Sequence, residues 1–284
     1  MNSPVIHILN GDALEDQFPK DLPGEILVFR ECLIEGPKKV VEFETFFASR
    51  AAYLSNTYDP KIKESYSREL SVPLMKVVTD LKPSEVVLWF EEDLFCQANF
   101  WFICHFLEGS GYRGKVSWAK PSGVAIYNFG LLSKEALTAV FKGRLLIDLK
   151  KIAPLWKAYS VNASDELIRL VEGITGLSEY IIPAAIAYRD MNTSTLEQSR
   201  PYLSLLEITK TLKTIHFEKV FMSFCKKEAV YGFGDLQVTE YSGTHCVPYI
   251  SVRGTPLCTI KKCISRYTFF NFRLVRVRFG LLKQ

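Results

Sequence analysis

Residues 86–106 read VVLWFEEDLFCQANFWFICHF, and their reading decides the fold. Glu91, Glu92 and Asp93 stand between two strongly apolar segments. Unpaired charge is costly to bury, so the acids mark a break between two elements. The first element, Val86-Val-Leu-Trp-Phe90, is short and rich in β-branched and aromatic types, as a buried strand is. The second, from about Asp93 to Leu107, carries Phe95, Asn99, Phe102, Ile103 and Phe106 at helical spacing.

The same pattern recurs. Val5-Ile-His-Ile-Leu9 ends in Asn10-Gly11-Asp12, Glu25-Ile-Leu-Val-Phe29 ends in Arg30-Glu31, and Lys115-Val-Ser-Trp-Ala119 ends in Lys120-Pro121. Helical periodicity fills residues 41–55 and 62–80. Strands alternating with helices predict an α/β fold: an N-terminal Rossmann-like, mostly parallel sheet with flanking helices over residues 1–130. Residues 131–195 read as a helical connecting region, with Trp156 and Tyr159 on a packing face. Residues 196–284 read as a small helical or winged-helix-like domain with a basic tail, with strand-like segments at Val247–Val252 and Thr268–Phe279.

The chain has 284 residues, 48% hydrophobic and 23% charged, the profile of a globular protein with an ample core. The start of the sequence lacks a basic region, and the acids interrupt the longest apolar run, so a cytoplasmic protein without a membrane span is expected. Seven irregularly spaced cysteines without a C-x-x-C suggest free thiols. His245, Cys246, Cys258 and Cys263 lack the closely paired spacing of a zinc site. Cys96 and Cys104 read as helix packing. From Tyr241 to Gln284 there are eight basic residues and no acid. That leaves 27 basic against 31 acidic residues in the rest, so the C-terminus is a candidate contact for nucleic acid or an anionic surface.

Ligands of open parallel sheets bind beyond the carboxyl ends of the strands. The polar residues that stop each apolar run, drawn from three strands, therefore define the expected site. Asp12, Glu91 and Asp93 are the candidate catalytic acids. His7, Asn10, Arg30, Glu31 and Gln97 are the candidate ligand-binding residues. Asp12, Arg30, Glu31, Glu91 and Asp93 are expected to share one solvent-reachable cleft, with Arg30 among the acids as a clamp for an anionic group. Each has a structural alternative. Asp93 would serve equally as a helix N-cap, Asp12 as a turn former, Arg30 as an ion-pair partner, and His7 as a hydrogen-bonded core residue.

His7-Ile-Leu-Asn-Gly-Asp12, Phe29-Arg-Glu31 with Glu35-Gly-Pro37, and Leu88-Trp-Phe-Glu-Glu-Asp93 with Gln97 resemble a bacterial family called domain of unknown function eighteen thirty-five. Its motifs are H-x-x-N-G-D, W-R-[DE] with E-G-P, and L-W-F-x-x-D-x-x-x-Q. Phe29 stands here in place of the usual Trp. The resemblance extends through Ala153-Pro-Leu-Trp156 and Ile182–Arg189 to Gly232-Phe-Gly-Asp235, and fades past Glu240. It implies membership and no particular reaction.

Two function classes follow. One is an enzyme on a phosphorylated or nucleotide-like substrate, with the acids supplying acid–base chemistry or holding a hard cation such as Mg²⁺. The other is a ligand-sensing regulator that binds nucleic acid or a protein through its C-terminal half. Neither G-x-G-x-x-G nor G-x-x-x-x-G-K is present, and the absence of G-x-S-x-G argues against Ser-His hydrolysis.

Overall fold

The computed structural model describes residues 4–213, 216–243, 251–252 and 255–256. Four parallel strands form where the apolar runs lie: β1 (Val5–Leu9), β2 (Glu25–Val28), β3 (Glu85–Trp89) and β4 (Lys115–Ala119). The sheet order is β2-β1-β3-β4-β5, with β5 (Leu145–Leu146) antiparallel to β4. The sheet therefore continues past residue 130, where the sequence suggested the first domain would end. In register, Ile8 lies beside Leu27 on one side and Leu88 on the other, and Leu88 lies beside Trp118. Side chains alternate between the two faces of a strand. Ile6, Ile8, Val86, Leu88 and Trp118 enter one core, while Leu9, Val87, Trp89 and Ala119 enter the other.

The helices divide between these faces. α1 (Asp12–Glu15) joins β1 to β2, and its Leu14 packs with Leu9 and Trp89 on the smaller core. On the opposite, larger core lie α2 (Phe43–Thr57), α3 (Ile62–Tyr66), α4 (Val72–Lys76) and α5 (Leu94–Gly109). π-helical turns follow α3 and α4 at Ser67–Ser71 and Val77–Leu81. α5 follows β3 directly and is buried nearly all round, with Phe100, Trp101, Phe102 and Ile103 at 0% exposure. A helix apolar on every side must be covered on every side. The sheet covers one flank. On another, α7 (Leu149–Ser160) brings Trp156 to 5.1 Å from Phe102 and Tyr159 to 5.5 Å from Trp101. Trp156 and Tyr159 thus form the packing face that the sequence predicts.

α6 (Lys134–Lys142) packs Leu137 on the smaller core. α8 (Ser164–Glu172), α9 (Ser178–Met191), α10 (Arg200–Leu212), α11 (Phe217–Lys227) and α12 (Asp235–Gly243) complete the chain. The larger core includes Val220, Phe224, Tyr231 and Val238 from these last elements. Of the strand-like segments expected near the C-terminus, Ser251–Val252 pairs antiparallel with Thr255–Pro256. Residues 268–279, together with His245, Cys246, Cys258 and Cys263, lie outside the described residues. Among the described residues no helix is long and apolar enough to cross a membrane.

Candidate functional site

β1 connects to β2 on one side, and β3 connects onward to β4 on the other, so the strand order reverses between β1 and β3. A crevice at such a switch point is where open α/β sheets hold ligands. The residues that end β1 and β3 meet there. Asn10 donates from Nδ2 to the Cys96 Sγ at 2.9 Å and accepts at Oδ1 from Asn99 Nδ2, also at 2.9 Å. Asn99 also donates to the Glu31 carbonyl at 2.9 Å and accepts from the Leu33 amide at 3.1 Å. One amide on α5 thereby ties down the ends of β1 and β2.

Asp93 is the N-cap of α5: its Oδ1 accepts from the Cys96 amide at 3.0 Å. A carboxylate there satisfies a free helical N–H and sits favourably at the positive end of the dipole. Glu91 accepts at Oε2 from the Cys96 thiol at 3.1 Å and at Oε1 from the Phe129 amide at 3.3 Å. Gln97 donates from Nε2 to the Glu91 carbonyl at 2.8 Å. Asn10, Glu91, Asp93 and Gln97 are thus brought together as expected. Cys96 is the hub of this network rather than a mere packing residue.

The expected open cleft is not found. Glu31, Glu91 and Asp93 are 6%, 1% and 0% exposed. Two segments from later in the chain cover the strand ends. Phe129 lies on Glu91, and the Glu92 amide donates to the Ile126 carbonyl. Gly232, at φ 64°, lies so close to Asp93 that an added Cβ would fall 2.0 Å from Oδ1. Gln237 of α12 donates to the Tyr58 hydroxyl at 3.3 Å.

Asp12 and Arg30 form a separate, half-exposed pair. Arg30 Nε and Nη2 both lie 2.7 Å from Asp12 Oδ1, and Glu15 is 3.7 Å from Nη2. Of the acids expected around Arg30, Asp12 is its partner, while Glu31 and Glu91 are not among the partners described. Arg30 and Glu31 are consecutive, but one side chain goes to Asp12 and the other to Arg50. Glu31 turns inward to Arg50 of α2, a residue that the reading of strand ends overlooks. Arg50 is 0% exposed and uses every donor: Nε and Nη2 on the Glu31 carboxylate, Nη2 on the Cys32 carbonyl, and Nη1 on the Glu35 and Pro37 carbonyls. Tyr66 and the Cys32 amide complete the shell around Glu31 at 2.6 and 2.8 Å. Burial works against the Arg50 charge, but the Glu31 carboxylate beside it raises the guanidinium above its ordinary value. The Arg30-Glu31…Glu35-Gly-Pro37 motif is therefore a loop wrapped around one guanidinium. Gly36, at φ 75°, leaves room that a Cβ would take from Tyr53 and Arg50. A signal for Arg50 exists: it lies three or four residues from the buried Phe46, Phe47 and Leu54, a charge on an apolar helix face.

His7 does not reach the rim. It is mid-strand on the smaller core, accepting at Nδ1 from Trp89 Nε1 at 3.1 Å, with Nε2 3.0 Å from the Pro23 carbonyl. These two partners select the neutral tautomer protonated at Nε2. Burial lowers its affinity for a second proton, and Arg144 adds to that effect. Glu92 pairs with Lys120 at 2.8 Å, and burial raises its carboxyl above the ordinary value. Lys38, just past the Arg50 loop, places Nζ 4.3 Å over the Tyr159 ring; burial and the Arg50 charge lower its pKa to about 8. A cavity of about 480 Å³ lined by Asn162, Ser164, Glu166, Arg189 and Asn192 opens at the start of α8, away from the strand ends.

Comparison of the chain with family models, with curated proteins and with solved structures finds no match.

Proposed function

We propose that the chain is an enzyme acting on a phosphorylated or nucleotide-like substrate at the carboxyl ends of β1, β2 and β3 of a Rossmann-like sheet. One observation carries the reading: Asn10 after β1 and Glu91, Cys96 and Asn99 after β3 converge where the strand order reverses, and Asn99 also holds the Glu31 carbonyl. Membership of the bacterial family that its motifs resemble is part of this proposal and rests on those motifs. Glu91 and Asp93 are the acid–base groups of this reading, with Asp12 at the outer lip. Arg30 holds the anionic part of the substrate, because its guanidinium is 37% exposed where the inner acids are buried. Gly11, at φ 90° with open space above it, lets a ligand approach the turn between Asn10 and Asp12. Access to Asp93 requires the segment at Gly232 to move, and access to Glu91 the segment at Phe129.

The test is a thermal-shift series with inorganic phosphate, sugar phosphates and nucleoside mono-, di- and triphosphates. A ligand at about a hundred times its Kd stabilises by about 2.7 kcal/mol, a rise of several degrees. The rise should vanish in Arg30→Met. If no phosphorylated compound stabilises the protein, or if Arg30→Met responds as the wild type does, the reading fails.

A second reading, a cytoplasmic ligand-sensing regulator, is favoured by the contacts of Gly232 with Asp93 and of Gln237 with Tyr58. Through them a winged-helix-like C-terminal half would register ligand at the rim. Salt-sensitive DNA binding by the full chain, altered by the stabilising ligand, would support it.

A further inference from the structure

We infer that Glu91, Asp93 and Cys96 form a buried site for a zinc-like divalent transition metal, with Gln97 as a fourth donor. The inference rests on the reading of the β1–β3 crevice as the site. It names an ion where that reading names a substrate, so the two can fail separately.

A carboxylate oxygen of Glu91, one of Asp93 and the Cys96 Sγ all lie within 4.8 Å of one another, and all three residues are buried. The Glu91 and Cys96 ligand atoms are already 3.1 Å apart. Zinc bonds of about 2.0–2.3 Å at tetrahedral angles set ligand atoms roughly 3.3–3.8 Å apart, so only small side-chain shifts separate this cluster from a ligand set. Gln97 supplies the independent observation. It is 0% exposed, and its Oε1 finds no hydrogen-bond partner among the described residues. Nε2 is held on the carbonyl of Glu91, and the residue lies one helical turn after Asp93. Its carboxamide is thus held at the backbone of Glu91, with an acceptor oxygen to spare. A buried acceptor without a donor costs free energy that a cation would recover.

The surroundings fit a metal-bound sulfur. Asn10 donates to Sγ and is itself oriented by Asn99, as outer partners orient the ligands of metal sites. The thiol decides which ion. Mg²⁺ prefers oxygen throughout, whereas a mixed oxygen and thiolate set suits zinc and its neighbours. The positive end of the α5 dipole opposes a cation. Two carboxylates and a thiolate carry three negative charges against it, and a dication leaves one. Binding breaks the Cys96 S–H bond; the proton leaves to solvent, the electron pair stays on sulfur and forms the metal bond, and nothing is oxidised or reduced.

The test is to unfold the protein in chelator, refold it with or without Zn²⁺, and count bound metal after gel filtration. One zinc per chain and a higher unfolding midpoint are expected. Refolding with Co²⁺ should give a thiolate-to-cobalt charge-transfer band, lost in Cys96→Ser and kept in Cys104→Ser. Less than about a tenth of an equivalent of metal, or bound cobalt without that band, overturns the inference. If Cys96→Ser does not fold, the band in the wild type alone decides.

Discussion

Arg50 of α2 and Glu31, three residues past β2, form a fully buried pair, Nη2 lying 2.6 Å from Oε2 with both side chains at or below 1% exposure. The other Arg50 donors bind backbone carbonyls of the 32–37 loop. Removing the arginine strands a carboxylate and three carbonyls in the core. Arg50→Met should cost about 3–5 kcal/mol in urea unfolding. Arg30→Met, at an exposed pair, should cost about 1 kcal/mol or less. Equal losses in the two variants would contradict this division of roles.

Gly232→Ala should loosen the cover over Asp93. At φ 64° an alanine costs about 1–2 kcal/mol of backbone strain, and its Cβ has no room beside Asp93 Oδ1. Hydrogen exchange in residues 229–241 should quicken and the melting temperature fall. Gly143→Ala, where a Cβ meets nothing nearer than 3.5 Å and φ is negative, is the control. Unchanged exchange in the Gly232 variant would show that the contact does not hold the segment.

His7 should make the protein sensitive to mild acid. Burial holds its imidazole below the ordinary 6.5, so the unfolded chain takes up a proton that the folded chain resists. The stability contributed by neutral His7 is complete above about pH 6.5 and is lost as pH falls from there toward its folded value. Urea midpoints measured from pH 7.5 to 5 should fall, and His7→Gln should flatten that fall by at most about 1.4 kcal/mol per pH unit. His105, also lowered by burial, accounts for part of the slope that remains. A variant with the wild-type slope would remove His7 from the account.

Lys38 should titrate near neutrality. Its amine loses charge around pH 8, against 10.5 for an ordinary lysine. With reductively ¹³C-methylated lysines, one NMR resonance should shift with a midpoint near 8 and be missing from Lys38→Arg. If every lysine titrates above pH 9.5, burial against Tyr159 and the Arg50 charge do not act on this amine as described.

The central strands were legible because parallel strands buried on both faces must be apolar throughout, and Val5–Leu9 and Glu85–Trp89 sit where such runs occur. β5 was not legible: two residues inside a stretch of helical pattern carry no periodicity. At the site, Asn10, Asp93 and Gln97 were found by the rule that strand ends face the ligand. Cys96 and Asn99 were hidden because a helix buried all round shows no polar stripe to single them out. The depth of Glu91 and Asp93 was beyond local reading, since the residues that cover them, Phe129 and Gly232, come 38 and 139 positions later than the acid each one touches.

That distant cover sets a timetable. Tyr58 and Gln237 meet across 179 residues of chain. A polypeptide emerging from the ribosome amino end first completes the sheet while Gly232 and Gln237 are still unmade. Until they arrive, Asp93 stands open to water on the side that Gly232 covers. Anything that is to be enclosed with it has that interval in which to enter. Afterwards, exchange with the solution is limited by the unfastening of residues 229–241. Occupancy would then record the conditions of synthesis.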